Sequence, residues 1–149
     1  MNLYRILIFV YLVMSPFTSF AQDLSEHRWK DRLVILQAND LNNQLLKEQI
    51  LELRNNNEGL KDRQIIVYQI IQNKYQKGIY DENEWVKSEG KFTSHNEGDS
   101  PFQFTLIGLD GGIKLKNNEP ISCEKLFGTI DQMPLRQSEI RRKKDGDNF

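Results

Sequence analysis

Phe102-Gln103-Phe104-Thr105-Leu106-Ile107-Gly108-Leu109-Asp110-Gly111-Gly112-Ile113-Lys114-Leu115-Lys116 reads as two β-rich runs around a turn. Phe104 to Leu109 and Ile113 to Lys116 flank Asp110-Gly111-Gly112, and Asp-Gly supplies the positive φ angles of a tight, primed-type hairpin turn. An antiparallel hairpin is therefore predicted here. A hairpin is not stable alone in water, so its apolar face needs further strands or a helix. The same glycines resemble a phosphate loop only superficially. The strand-to-helix context that aims amides at a phosphate is missing, and turn geometry accounts for them.

Upstream, Leu33 to Ala38 is nearly continuous in apolar residues, the pattern of a strand covered on both faces. Asn39 and Asp40 can cap a helix from Leu41 to about Arg54, with Leu41, Leu45, Leu46, Ile50 and Leu53 on one face. Asn55-Asn56-Asn57 and Gly59 are read as its end. Gln64 to Ile71 is a second buried-type strand, and strand, helix, strand with short connections predicts a parallel pair. Gln72 to Pro101 is polar and irregular; a short helix around Asp81 to Ser88 is its one regular candidate. Pro101, just before the hairpin, is open to either isomer.

Downstream, Pro120-Ile121-Ser122 opens a core helix with Ser122 as N-cap, Glu124 in its first turn and Leu126, Phe127 and Ile130 buried. Met133-Pro134 is read as its stop. The tail from Arg136 to Phe149 mixes both charge signs, with a short helix through Arg142 and Arg136 tied back to an acidic group. The predicted order, β-α-β, an ambiguous segment, then β-β-α, is that of a thioredoxin-like α/β fold.

The first 21 residues have the layout of a secretory signal peptide: Arg5, the apolar run Ile6 to Met14, then Ser19-Phe20-Ala21 before Gln22. The run is shorter than the roughly 20 residues that span a bilayer, so the mature chain is expected not to be an integral membrane protein. No Cys stands directly after the expected cut, which argues against a lipid anchor. Of 149 residues, 128 would remain, enough for one domain over residues 22–149. The chain carries 20 Lys and Arg against 21 Asp and Glu, and the leader removes only Arg5. The resulting near-neutral charge favours neither nucleic acid nor an anionic membrane.

Arg28-Trp29-Lys30-Asp31-Arg32, the run Leu106 to Leu115, and Ile130-Asp131-Gln132-Met133-Pro134-Leu135-Arg136 together resemble the bacterial family called domain of unknown function 4174. That family is similar to the domain shared by the vertebrate extracellular DRO, URB and DRS proteins, which include sushi-repeat matrix proteins. The resemblance implies a thioredoxin-like fold related to peroxiredoxins, without an established activity or catalytic residues.

Redox-active thioredoxin-like proteins place a thiol where the first strand meets the first helix, because the helix start stabilises a thiolate. Ala38-Asn39-Asp40-Leu41 fills that position here, and Cys123 is the chain's single cysteine. Cys123 falls in the first turn of the last core helix, where a dipole can lower its pKa; a small hydrophobe beside Ser122 is the favoured reading. His27 or His95, with Glu26 or Glu97, lack the clustered spacing of a metal site. Arg136, Arg141, Arg142, Lys143 and Lys144 are diluted by Glu139, Asp145 and Asp147 and are read as a solvated helix rather than a site for an anionic envelope component. Trp29 is read as packing under the first strand. Tyr75, Tyr80 and Trp85 offer a weaker small-molecule site. No cofactor is expected.

These readings converge on an exported, non-catalytic module that binds a protein or an envelope or matrix component, in the periplasm or outside the cell. The alternative is a peroxiredoxin-related antioxidant or thiol-redox accessory. Intact-mass analysis of the exported protein is expected to show Gln22 as its first residue; a chain retaining Met1 contradicts the leader reading.

Overall fold

The computed structural model describes residues 24–88 and 100–146. The expected leader, together with Phe92, His95 and Glu97, lies outside the described residues. A 3-10 turn, Ser25–His27, leads into β1 (Arg32–Ala38), followed by helices α1 (Gln44–Asn55) and α2 (Asn57–Asp62). Strands β2 (Ile65–Ile71), β3 (Lys74–Lys77), β4 (Val86–Lys87), β5 (Phe102–Ile107) and β6 (Ile113–Asn117) follow, then α3 (Cys123–Asp131) and α4 (Pro134–Gly146). Among the described residues the strands form one mixed sheet in the order β4-β3-β2-β1-β5-β6.

β1 is central and pairs on both edges. It runs parallel to β2, with Arg32 opposite Ile65, and antiparallel to β5, with Leu36 opposite Phe104. All seven of its residues are buried, which explains the continuous apolar run: side chains alternate between two covered faces. Val34, Leu36 and Ala38 join Phe102, Phe104 and Leu106 under Leu46 and Leu53 of α1, Leu60 of α2 and Leu126 and Ile130 of α3. Leu33 and Ile35 form a smaller cluster on the other face with Tyr68, Ile70 and Ile107. Gln49 is buried on α1, yet its amide is satisfied: Nε2 donates to Ile121 O at 3.0 Å and Oε1 accepts from Ile121 N at 2.6 Å. That pair fastens α1 to the approach to α3.

Several local expectations are corrected. The first helix starts at Gln44 rather than Leu41, because Asn43 is the cap and accepts from Leu46 N at 3.1 Å. Asp40 instead closes a turn on Asn42 N, and Leu41 is exposed. Gly59 lies inside α2 rather than ending a helix; a Cβ there would stand 2.5 Å from Cε2 of Phe127, so close packing of α3 accounts for it. No helix forms at Asp81 to Ser88. The chain instead makes a two-residue turn at Gln72-Asn73, with Gln72 at φ 52°, and adds β3 and then β4 to the sheet. The β5–β6 hairpin is present, but its connection spans Gly108 to Gly112 instead of a two-residue primed turn. Gly111 takes φ +81°, while Asp110 accepts from Gly112 N at 3.0 Å. Ser122 caps α3 as expected, accepting from Lys125 N. Pro134 is the first residue of α4 as well as the end of the preceding turn, a position where its missing N–H is no loss. No helix of the described residues is long and apolar enough to cross a membrane.

Phe104→Ala is expected to cost about 3–5 kcal/mol in urea unfolding, and Leu51→Ala, at an exposed site, less than about 0.5 kcal/mol. Similar losses in the two variants would contradict the assignment of the core.

Candidate functional site

At the carboxyl end of β1, Asn39, Asp40 and Asn43 stand beside Pro101. Asn39 N and Asn43 Nδ2 donate to Pro101 O at 3.2 and 2.9 Å, and the bond to Pro101 is trans. Asn39, Asn43 and Pro101 hold one another, Asp40 accepts from Asn42 N, and no thiol stands here. Cys123 is buried elsewhere, its backbone N bonded to Glu52 Oε1 at 2.7 Å. Burial, with help from the Glu52 charge, pushes its thiol up to about 11. The dipole at the helix start, the less favoured of the two readings of Cys123, does not prevail over burial.

The amino end of β1 is different, because three separate stretches of sequence meet there. Trp29 does not pack under the strand. It is 62 % exposed at φ 65°, and its backbone N donates to Leu109 O, beside the hairpin turn, at 2.7 Å. A bulky residue in that conformation carries about 1–3 kcal/mol of strain. Ile113, opening β6 at the same end, is 60 % exposed.

Arg32 begins β1 and is fully buried on the helix-covered side. Its Nη2 meets Glu139 Oε1 at 2.9 Å, and Nη1 donates to Arg63 O at 2.8 Å. Among the described residues no group accepts from its Nε. Arg136, also buried, donates to Glu139 Oε2 at 3.1 Å, to Asp131 Oδ1 at 3.2 Å and to Asp62. Arg63 grips Asp131 through two nitrogens, at 3.0 and 2.6 Å, and lies over the Phe127 ring at 4.3 Å. Lys143 completes the chain of contacts on Asp62. Among the described residues the linked ion pairs contain four cations, Arg32, Arg63, Arg136 and Lys143, and three carboxylates, Asp62, Asp131 and Glu139.

Burial works against the charge on Glu139, but hydrogen bonds from Arg32 and Arg136 outweigh it and hold the carboxyl below its ordinary value. Asp131 is lowered in the same way, chiefly by Arg63 against burial. Asp62 is lowered first by Lys143 and then by Arg136. Arg136 is raised: burial opposes its charge and the three carboxylates prevail.

The expected tie from Arg136 to an acidic group is present, whereas Arg32 and Glu139 were not singled out by sequence. The only signal would have been an Arg opening a strand whose other residues, Gln37 apart, are apolar. His27 is committed to internal bonds, Nδ1 to Asp31 at 2.8 Å and Nε2 to the Tyr68 hydroxyl at 2.8 Å. Among the described residues no three His, Cys, Asp or Glu side chains are placed to hold a metal ion. Tyr75 and Trp85 pack against clusters on opposite faces of the sheet, and Tyr80 lies over Arg54, so these rings do not line one site.

The class defined by this architecture is a mixed α/β domain whose central strand starts in a buried ion-pair network. The chain belongs to the family described as domain of unknown function (DUF4174), whose model matches residues 23–139. No curated protein and no solved structure matches it.

The three lowered carboxyls contribute stability that is complete above their ordinary values of 3.8 to 4.5 and is lost as pH falls through their folded values. Glu139→Gln strands the buried Arg32 and is expected to lose about 3 kcal/mol at pH 7 in urea unfolding. The deficit should shrink towards pH 3 as the wild-type carboxyl is protonated. Equal stability of the two proteins at pH 7 would contradict the role of the pair.

Proposed function

We propose that this protein is an exported, non-catalytic, thioredoxin-like binding module of the cell envelope or the extracellular space, with its recognition surface at the amino end of β1. The strand order β2-β1-β5-β6, with a parallel first pair, an antiparallel hairpin and a closing helix, supports the thioredoxin-like reading. The β3–β4 extension stands where that fold's second helix is expected. The leader-like first 21 residues and the resemblance to matrix-associated domains support export.

One observation carries the binding reading: Trp29 is exposed although its backbone is held in a strained conformation by Leu109. Apolar packing does not explain a large ring left in water at that cost, whereas a rigid aromatic anchor suits a contact surface. A thiol-redox role would have to use Cys123, which is buried and protonated at neutral pH.

Affinity capture of the tagged protein with crosslinking, from the envelope of its own host, tests this. Wild type and Cys123→Ser are expected to retain the same partners, Trp29→Ala to lose them, and none of the three to turn over peroxide or reduce disulfides. Capture that survives in Trp29→Ala but fails in Cys123→Ser would mean mixed disulfides and overturn the proposal.

A further inference from the structure

A cleft of about 440 Å³ opens between α1 and the β2–β3 pair, with Leu46, Ile50, Leu51 and Trp85 as apolar walls and two glutamines, Gln69 and Gln76, lining it from the sheet. We propose that this cleft binds an uncharged primary carboxamide carried on an apolar body. Its volume falls within the roughly 300–1,000 Å³ of small-molecule sites, and apolar walls with a few placed polar groups are the usual composition of such sites. The cleft shares no residue with the surface around Trp29 and does not rest on that reading.

The two glutamines supply acceptors. They are cross-strand partners on β2 and β3, only 4 % and 3 % exposed, and such partners stand about 5 Å apart at Cβ. Gln69 Nε2 donates to Gly78 O at 2.8 Å, and Gln76 Nε2 donates to Tyr80 O at 2.7 Å and to Asn83 O at 2.9 Å. A carbonyl can accept only from the nitrogen of an amide, so both side chains are fixed in orientation and each Oε1 is left without a donor among the described residues. Arg32 Nε is the one unpartnered side-chain nitrogen or oxygen sealed from solvent among those residues. The two glutamine oxygens are unpartnered but not sealed. With nearly all of both residues buried, the space that reaches them is the cleft they line.

Charge and the donor inventory choose the ligand. Two amide oxygens repel a carboxylate and call for N–H groups. A cation is disfavoured, because Lys47 and Arg54 line the same cleft and the Asp81 carboxylate there is already engaged by Arg54 Nη2 at 2.7 Å. Arg54 spends its Nε on Ile79 O, which leaves Nη1 without an acceptor among the described residues. Two acceptors and one spare donor match a primary carboxamide, whose nitrogen offers two N–H groups and whose carbonyl accepts. Leu51, 60 % exposed, and Trp85, packed at the edge of the core, would take the apolar body. Such an amide comes either from a free small molecule or from the glutamine or asparagine side chain of a peptide.

Backbone and side-chain amide shifts of the ¹⁵N-labelled full chain are followed during titration with phenylpropionamide, its N,N-dimethyl form, phenylpropionate, phenylpropylammonium, and a blocked Leu-Gln-Leu tripeptide with its glutamate counterpart. The primary amide, the glutamine peptide or both are expected to move the Nε2 signals of Gln69 and Gln76 together with the backbone of Leu51 and Trp85, and which of them does so identifies the source. Shifts as large with the dimethyl amide, a charged probe or the glutamate peptide would overturn the proposal. So would backbone shifts that leave both glutamine side chains unmoved, or no shift with any probe. Gln69→Met, which keeps the length of the side chain and removes its oxygen, is expected to weaken binding about tenfold where it folds. Unchanged affinity in that variant would equally overturn the site; where it does not fold, the wild-type glutamine side-chain signals carry the test.

Discussion

A guanidinium cannot shed its proton inside a protein, so burying Arg32 at the start of the central strand obliges the chain to bring it a carboxylate. That carboxylate is Glu139, 107 residues further along. The requirement reaches well beyond one contact. Glu139 reaches Arg32 only if α4 turns back after α3, and the turn is held by Arg136, which bonds Glu139, Asp131 and Asp62 from one buried side chain. Asp62 ends α2 and Asp131 ends α3, so a charge placed at the first residue of β1 fixes how three helix ends are arranged. Replacing such a network with apolar residues need not weaken a fold, but removing one partner strands the others. The network thus acts as a constraint on geometry rather than as a large net source of stability.

What could be read in the sequence follows from which signals are local. The hairpin was legible because Asp110-Gly111 between alternating β-formers has few other solutions. The parallel pair was legible because β1 and β2 are buried on both faces and so lose the alternation of a one-sided strand. β3 was not, since Gln72-Asn73 lacks the glycine that announces a tight turn, even though Gln72 adopts the left-handed conformation. Gly59 was misread because a glycine required by a neighbouring ring and a glycine required by backbone φ look the same in sequence. Trp29 and Arg32 fail for one shared reason. Large aromatics are usually inside and arginines usually outside, and here both preferences are reversed within four residues by contacts with distant segments.

Cys123 shows how two helix-end effects are weighed. It occupies the first turn of α3, where the dipole favours a thiolate by about 0.3–1 kcal/mol, less than one pKa unit. Burial opposes the charged form and can move a pKa by several units when it is complete. The carboxylate of Glu52 on the backbone N of Cys123 adds to burial. The sum is a thiol at about 11, so a helix start activates a cysteine only where water or a cation reaches it.

The two ends of β1 therefore have unequal chemical capacity. At the carboxyl end, Asn39, Asn43 and the Pro101 carbonyl are mutually bonded, and the Asp40 carboxylate accepts from Asn42 N. At the amino end, a buried cation keeps one unshared N–H, and an exposed ring is held rigid at the edge of the hairpin turn. Unsatisfied donors and strained exposed aromatics both raise the free energy of the isolated protein, and the second is relieved by contact with a complementary surface. Both lie at one end of the central strand, the end at which the binding surface is proposed.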